Sequence, residues 1–155
     1  MKKTDIKAVT IKKAPLTDDT VNQLIELSGK WADEGCTNGL VKNTREDILE
    51  PVFAAFDGEK IVGYAFGHFY SPEKKTSYIE PGESCFFLDE LYVLPEYRSA
   101  GIGKRLFDAV SGEAAEKAGF LTLATSTKDY KRILKFYTEN AGMDFHDAFL
   151  IKKLK

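Results

Sequence analysis

The sequence is poor in the features that mark several function classes. Only two of its 155 residues are cysteine, Cys36 and Cys85, too few for a disulfide framework and in keeping with a reducing compartment. Its two histidines, His68 and His146, lie far apart in the chain and far from either cysteine. No metal-ligand spacing results, so no metal is expected. No apolar run approaches the roughly 18 residues that a membrane span needs. The opening Met1-Lys2-Lys3-Thr4-Asp5-Ile6-Lys7 has charge without an apolar stretch behind it, so neither a secretory leader nor a membrane partner is expected. Charge of one sign is also lacking: 22 basic against 24 acidic residues give −2, no field for nucleic acid. Repeats, low-complexity tracts and Gly/Ser/Pro-rich linkers are absent, and residues 1–155 read as a single domain. What is present is core-forming material, 43% hydrophobic with eleven Phe and seven Tyr, enough to bury a substantial interior. A cytoplasmic globular protein is the resulting expectation.

Charge is nonetheless clustered. Residues 14–60 carry ten acids and four bases, and residues 71–96 six and two, whereas from Tyr97 onward eleven bases face seven acids. Solvated faces would explain this, as would one region for an anionic ligand and another for a cationic one.

Hydrophobic periodicity predicts the elements. Ile6 to Lys13 alternates as a half-buried strand. Thr17-Asp18-Asp19 caps a helix carrying Val21, Leu24, Ile25 and Leu27, with Gly29 a candidate terminator. Thr44-Arg45-Glu46-Asp47 opens a short helix that stops before Pro51. Val52 to Phe56 and Ile61 to Tyr70 flank Asp57-Gly58, a strong hairpin signal. After a polar loop from Ser71 to Ser84, Cys85 to Leu94 reads as a strand ended by Pro95. Ala100 to Ala118 is a helix closing at Gly119, Phe120 to Thr125 a strand, Lys131 to Asn140 a helix, and Met143 to Leu154 mostly strand. The class is α+β with a mixed central sheet.

The chemistry concentrates in Leu91-Tyr92-Val93-Leu94-Pro95-Glu96-Tyr97-Arg98-Ser99-Ala100-Gly101-Ile102-Gly103-Lys104-Arg105-Leu106. A strand runs into a proline turn and then into a helix with glycines in its first turn. Amides there lack intrahelical partners, the helix dipole favours an anion, and glycine lets a phosphate approach the backbone. Arg98, Lys104 and Arg105 add positive charge, so a pyrophosphate-bearing ligand is expected. The same hexapeptide would also serve as a plain strand-to-helix turn. Position 106 is Leu, which disfavours a dinucleotide fingerprint, and no Walker phosphate loop occurs.

Arg98-Ser99-Ala100-Gly101-Ile102-Gly103, preceded by Val93-Leu94-Pro95, resembles the coenzyme A loop of the GNAT superfamily of acetyltransferases, Arg/Gln-x-x-Gly-x-Gly/Ala after a strand with Val-x-Pro. Phe136-Tyr137-Thr138-Glu139-Asn140-Ala141-Gly142-Met143 is similar to the family's late Phe/Leu-Tyr-x-x-x-Gly-Phe segment, and the element order agrees from about residue 5 to 154. The resemblance implies a GNAT-like, mostly antiparallel sheet of six to seven strands flanked by about four helices. It implies acetyl-CoA as co-substrate, with Leu91, Tyr92 and Val93 along the pantetheine and Ser99, Ala100, Gly101, Ile102, Gly103, Lys104 and Arg98 around the pyrophosphate. Tyr137 matches the family's general acid. Asp89 and Glu90 are both candidates for the base: strand alternation sends neighbours to opposite faces, the Glu that related polyamine and aminoglycoside acetyltransferases often carry at the position of Asp89 favours Asp89, and a bulge, common in this strand of the family, favours Glu90. Where the family often has an asparagine seven residues before the tyrosine, this chain has Tyr130, which would stack on or hydrogen-bond the cofactor, with Thr125-Ser126-Thr127 offering hydroxyls.

Trp31, Asp33 and Glu34 fall where the family builds its acceptor wall, and an aromatic with carboxylates suits a cationic amine; solvated helix-end charges explain them equally. The implied function is N-acetylation of a primary amine on a small, cationic acceptor. A non-catalytic acyl-CoA sensor and a protein N-terminal or lysine acetyltransferase are the alternatives. A homodimer is compatible with all three.

Overall fold

The computed structural model describes residues 8–155. Five strands, β1 (Thr10–Lys13), β2 (Val52–Asp57), β3 (Lys60–Tyr70), β4 (Cys85–Val93) and β5 (Phe120–Thr122), form one sheet in the order β1-β2-β3-β4-β5. Three helices, α1 (Asp18–Asp33), α2 (Ile102–Ala115) and α3 (Tyr130–Lys135), accompany it. Neighbouring strands are antiparallel except β4 and β5, which run parallel. The α+β class and the mixed, mostly antiparallel sheet stand, with five strands and three helices among the described residues in place of six to seven and about four.

The differences have local causes. Ile6 and Lys7, the start of the first predicted strand, lie outside the described residues, and pairing with β2 begins at Thr10. The Thr44 segment closes a capping box with Asp47 but makes only a single 3-10 turn, Arg45–Asp47, too short a run before Pro51 to continue. Helix α1 passes through Gly29 to Asp33. Its Thr17 cap accepts from the Thr20 amide at 3.2 Å, and Val21, Leu24 and Leu27 are buried as predicted. Residues 144–155 form no strand.

The sheet is sandwiched. Tyr64 and Tyr92 are cross-strand partners on one face, where Trp31 of α1 stacks on Tyr92 at 5.2 Å. Gly63, one residue from Tyr64, therefore points to the other face, and there Leu106 of α2 is its neighbour. Leu106, Val110 and Ile102 are fully buried against it. The two glycines of β3 are steric requirements. A Cβ on Gly67 would collide with the Phe87 carbonyl oxygen and lie 2.7 Å from the Phe86 ring. Gly67→Ala is expected to destabilise by on the order of 3 kcal/mol. That reads as a fall of about 10 °C in Tm by calorimetry, and an unchanged Tm would mean β4 is not packed this closely.

Candidate active site

Two structural events around β4 create the site. The first is a bulge. Phe66 pairs with Glu90 but Gly67 pairs with Leu88, leaving Asp89 as the extra residue. Both adjacent carboxylates consequently meet side chains from one face of β3. Asp89 Oδ2 lies 2.6 Å from His68 Nδ1, and the Tyr64 hydroxyl donates to Glu90 Oε2 at 2.7 Å. Tyr64, Phe66 and His68 share that face by alternation, so the expected opposition of Asp89 and Glu90 is removed by the extra residue.

The second event is a splay. The parallel pairing of β4 with β5 ends at Phe87 and Thr122, so from Leu88 to Val93 the β5 side of β4 has no strand partner among the described residues. A cleft of about 770 Å³ opens there. Its roof is a strap joining the segment after α1 to the segment after β5. Asn38 N donates to the Ser126 carbonyl at 2.9 Å, and Lys128 N to the Cys36 carbonyl at 2.8 Å, around a Thr37–Thr127 bridge. Cys36, Thr37, Asn38, Thr125, Ser126 and Thr127 all line the cleft.

At its far end the cleft meets the N-terminus of α2. Ser99 (φ 63°) and Gly101 (φ 79°) are left-handed, a turn that brings successive amides into one concavity. Among the described residues no hydrogen bond engages the amides of Ser99, Ala100, Gly101, Ile102, Gly103 or Lys104; the first satisfied one is Arg105 N, to the Gly101 carbonyl at 3.0 Å. A Cβ on Gly103 would sit 3.8 Å from both Leu91 and Phe136, so the glycine keeps open the passage between β4 and the segment after α3. These are the donors a pyrophosphate needs.

The cations expected to assist are largely committed elsewhere. Arg98 Nε donates to the Val93 carbonyl at 2.8 Å, its Nη2 pairs with Glu34 at 2.7 Å, and its guanidinium lies over the Tyr92 ring. Lys104 pairs with Asp108 at 2.5 Å, and Arg105 donates to the Val9 carbonyl at 2.9 Å. Positive charge also reaches the cleft wall from Arg132 and Lys135 of α3, which the sequence reading did not single out. Their signal was only the basic character of the C-terminal half.

Beyond α3 the backbone widens into a π-turn, Phe136–Asn140, with Ala141 N donating to the Phe136 carbonyl at 3.0 Å. Such widenings recur at functional positions. This one carries Tyr137 onto the cleft wall, packed edge-on against Phe107 and Phe136. Its hydroxyl has no hydrogen-bond partner among the described residues, and burial pushes the phenol up to about 12. Glu90 is different: burial pushes its carboxyl up, the Tyr64 and Asn43 donors pull it back, and the negative Asp89 and Asp47 push it up again, with a net upward shift. Asn43 donates to both Glu90 oxygens at 3.0 Å. Burial and the Glu90 charge hold the Tyr64 phenol protonated.

Trp31, Asp89, Glu90, Leu91, Tyr92, Val93, Arg98, Ser99, Gly101, Ile102, Gly103, Lys104 and Tyr137 thus line one cleft, and Ala100 lies in its loop. Three further predicted residues do not line it. Asp33 sits on the outer side of α1 in a shallow depression with Glu26, Lys30 and Lys42, because helical spacing turns it away from Trp31. Glu34 accepts from Arg98 and from the Tyr92 hydroxyl, both at 2.7 Å. Burial opposes its charge, but these donors outweigh that and hold the carboxyl below its usual range. It ties α1 to the loop after β4. Tyr130, the first residue of α3, is exposed and lies outside the cleft lining. Asn43, Tyr64 and His68, which hold the two acids, were missed because they are 21 to 47 residues from their partners and no local period connects them.

No curated protein sequence matches the chain. Among solved structures, an aminoglycoside acetyltransferase from an uncultured soil metagenomic sample, in complex with sisomicin, has 20% identity and a TM-score of 0.64, covering 96% of this chain and 98% of its own. The aminoglycoside N-acetyltransferase AAC(6')-Iy in complex with CoA has 17% identity and a TM-score of 0.67, covering 94% and 99%. A ribosomal-protein-alanine N-acetyltransferase from Brucella melitensis biovar Abortus has 21% and 0.65, covering 94% and 99%. At these identities the likeness is one of fold. The family model described as acetyltransferase (GNAT) family matches residues 21–143, most of the chain and all the elements that build the cleft from α1 to the π-turn. The chain belongs to the acetyltransferase (GNAT) family, enzymes that move an acetyl group from acetyl-CoA to an amine.

Proposed function

We propose that residues 1–155 form a single cytoplasmic N-acetyltransferase unit whose acceptor is a primary amine on a small, cationic molecule. The observation that carries this is the continuity of the free β4 edge, Leu88 to Val93, with the unpartnered amides of Ser99 to Lys104. An extended amide chain ending in a pyrophosphate fits both parts at once. Bound acetyl-CoA would supply the acetyl group already activated as a thioester.

The chain's own residues then have three tasks. The β4 edge orients the extended arm as an added strand would, fixing the thioester against the acids. Glu90 takes the proton that an ammonium acceptor must lose before its nitrogen attacks the carbonyl carbon. Tyr137 gives its proton to the sulfur as the C–S bond breaks, and its raised pKa keeps that proton in place at neutral pH. Trp31 and the two acids offer an aromatic face and negative charge to a cationic acceptor. A small-molecule acceptor is in keeping with the aminoglycoside acetyltransferase neighbour in complex with sisomicin.

Glu90 is preferred over Asp89 because burial pushes its carboxyl up, toward the range a base uses near neutrality. Activity must rise with pH as Glu90 loses its proton. Glu90→Gln is expected to lower kcat/KM by roughly 100-fold and to remove this acid limb from the pH profile. Asp89→Asn should leave the limb in place. The reverse pattern would transfer the role to Asp89.

A further inference from the structure

Glu90 lines the cleft, but the two side chains that donate to it do not. Asn43 and Tyr64 therefore hold the carboxylate from behind. Asn43 Nδ2 stands 3.0 Å from Oε1 and 3.0 Å from Oε2. A nitrogen equidistant from both oxygens sits between them and covers the inner acceptor position of each. The Tyr64 hydroxyl takes a further position on Oε2, at 2.7 Å. A carboxylate offers about four acceptor positions, so the outer position of Oε1 is the one with no donor among the described residues.

Both donors are themselves fixed. Asn43 is buried, and its backbone amide donates at 2.9 Å to the hydroxyl of Ser28, a fully buried residue of α1. That hydroxyl in turn donates to the Ile25 carbonyl at 2.7 Å. Tyr64 is fully buried in β3 and stacks on Phe66. Helix α1 and strand β3 thus clamp the acid between them. Rotating it away would strand the Asn43 amide and the Tyr64 hydroxyl in the interior, where an unmet donor is costly.

We infer that Asn43 and Tyr64 are positioning residues for the transfer reaction, holding Glu90 ready as a base by confining its proton uptake to the outer side of Oε1. The inference rests on Glu90 being the base. A proton on the inner side of either oxygen would meet the Asn43 amide nitrogen, which donates and does not accept. Each donor also favours the charged carboxylate, against burial and against the negative Asp89 of β4 and Asp47 of the 3-10 turn. His68 of β3 meets Asp89, one residue along, at 2.6 Å. Removing either donor therefore raises the Glu90 carboxyl further. At a given acid pH more of it is protonated, and fewer molecules carry a working base.

Asn43→Ala and Tyr64→Phe in the full chain test this, the second keeping the ring and with it the packing of β3. The carbon-13 carboxyl resonance of Glu90, assigned by its loss in Glu90→Gln, is followed against pH. It is expected to titrate at higher pH in each variant than in wild type. Spermine acetylation is expected to show the same displacement. At the acid end of the profile kcat/KM falls by about 10-fold, the worth of one hydrogen bond to a charged group. The loss shrinks to within about threefold once pH has risen past the limb. A purely structural role would instead lower the rate by one factor at every pH. A Glu90 titration unmoved in both variants overturns the inference, as does a rate loss that stays constant across the profile. A Glu90→Gln variant as active as wild type at every pH removes the base reading itself, and the inference with it.

Discussion

Replacing Gly103 by Trp is expected to lower the affinity for acetyl-CoA by at least about 100-fold, the loss of two or more hydrogen bonds to a charged group, with the fold intact. The position is suited to this test because a side chain there grows into the passage and not into the core: the nearest atoms to its Cβ would be Leu91 and Phe136 at 3.8 Å. The backbone of the first turn of α2 is already helical at this residue, so the substitution introduces no backbone strain. An indole would fill the space above the amides of Ser99 to Lys104 and shield them from a phosphate. Calorimetric titration with acetyl-CoA and with desulfo-CoA reads the effect, and circular dichroism confirms the fold. Equal affinity in variant and wild type would place the pyrophosphate elsewhere.

The second large effect is at Tyr137. Tyr137→Phe removes one oxygen and leaves the ring packing against Phe107 and Phe136 available. Since the hydroxyl holds no described partner, its loss leaves no buried donor or acceptor stranded, and Tm should not change. Its catalytic loss is expected to be large: kcat falling about 100- to 1,000-fold, the usual range for a positioned proton donor. The KM for acetyl-CoA is expected to remain within about twofold, because cofactor binding rests on the β4 edge and the α2 amides. The phenol's upward shift to about 12 adds a sign. Tyr137 stays protonated through neutral and mildly alkaline pH, so no alkaline loss of rate arises from it there. A variant that retains its kcat would make Tyr137 a packing residue.

Much of this arrangement is legible in the sequence, and the limits are physical. The Asp57-Gly58 hairpin, the Thr17 cap and the glycine turn into α2 depend on residues within a few positions of one another, and each occurs in the structure. Gly29 does not end α1: it keeps helical geometry, packed against the Lys42 side chain, and the buried face of α1 decides where the helix runs. The bulge at Asp89 is invisible locally because it depends on the register of β4 against β3, between residues as far apart in the chain as Gly67 and Leu88 or Phe66 and Glu90. The commitments of Arg98 to Glu34 and of Glu90 to Asn43 and Tyr64 are tertiary in the same way. No local pattern in the sequence announces these partners, which lie tens of residues away. The strand pattern of residues 143–154 is a feature of the sequence, but residues 144–155 form no strand, since a pattern names a preference and pairing needs a neighbouring edge.

The central claim, direct acetyl transfer to a small amine, is tested most directly by following free coenzyme A thiol. The purified chain is given acetyl-CoA with sisomicin, with spermine, and with no amine. Thiol release at a rate well above the amine-free blank with at least one of the two amines, accompanied by a mass gain of one acetyl group on that amine, is the predicted result. Tight binding of acetyl-CoA with release no faster than the blank for either amine would contradict the account and leave the cleft as a sensor of the coenzyme or a site for a protein acceptor.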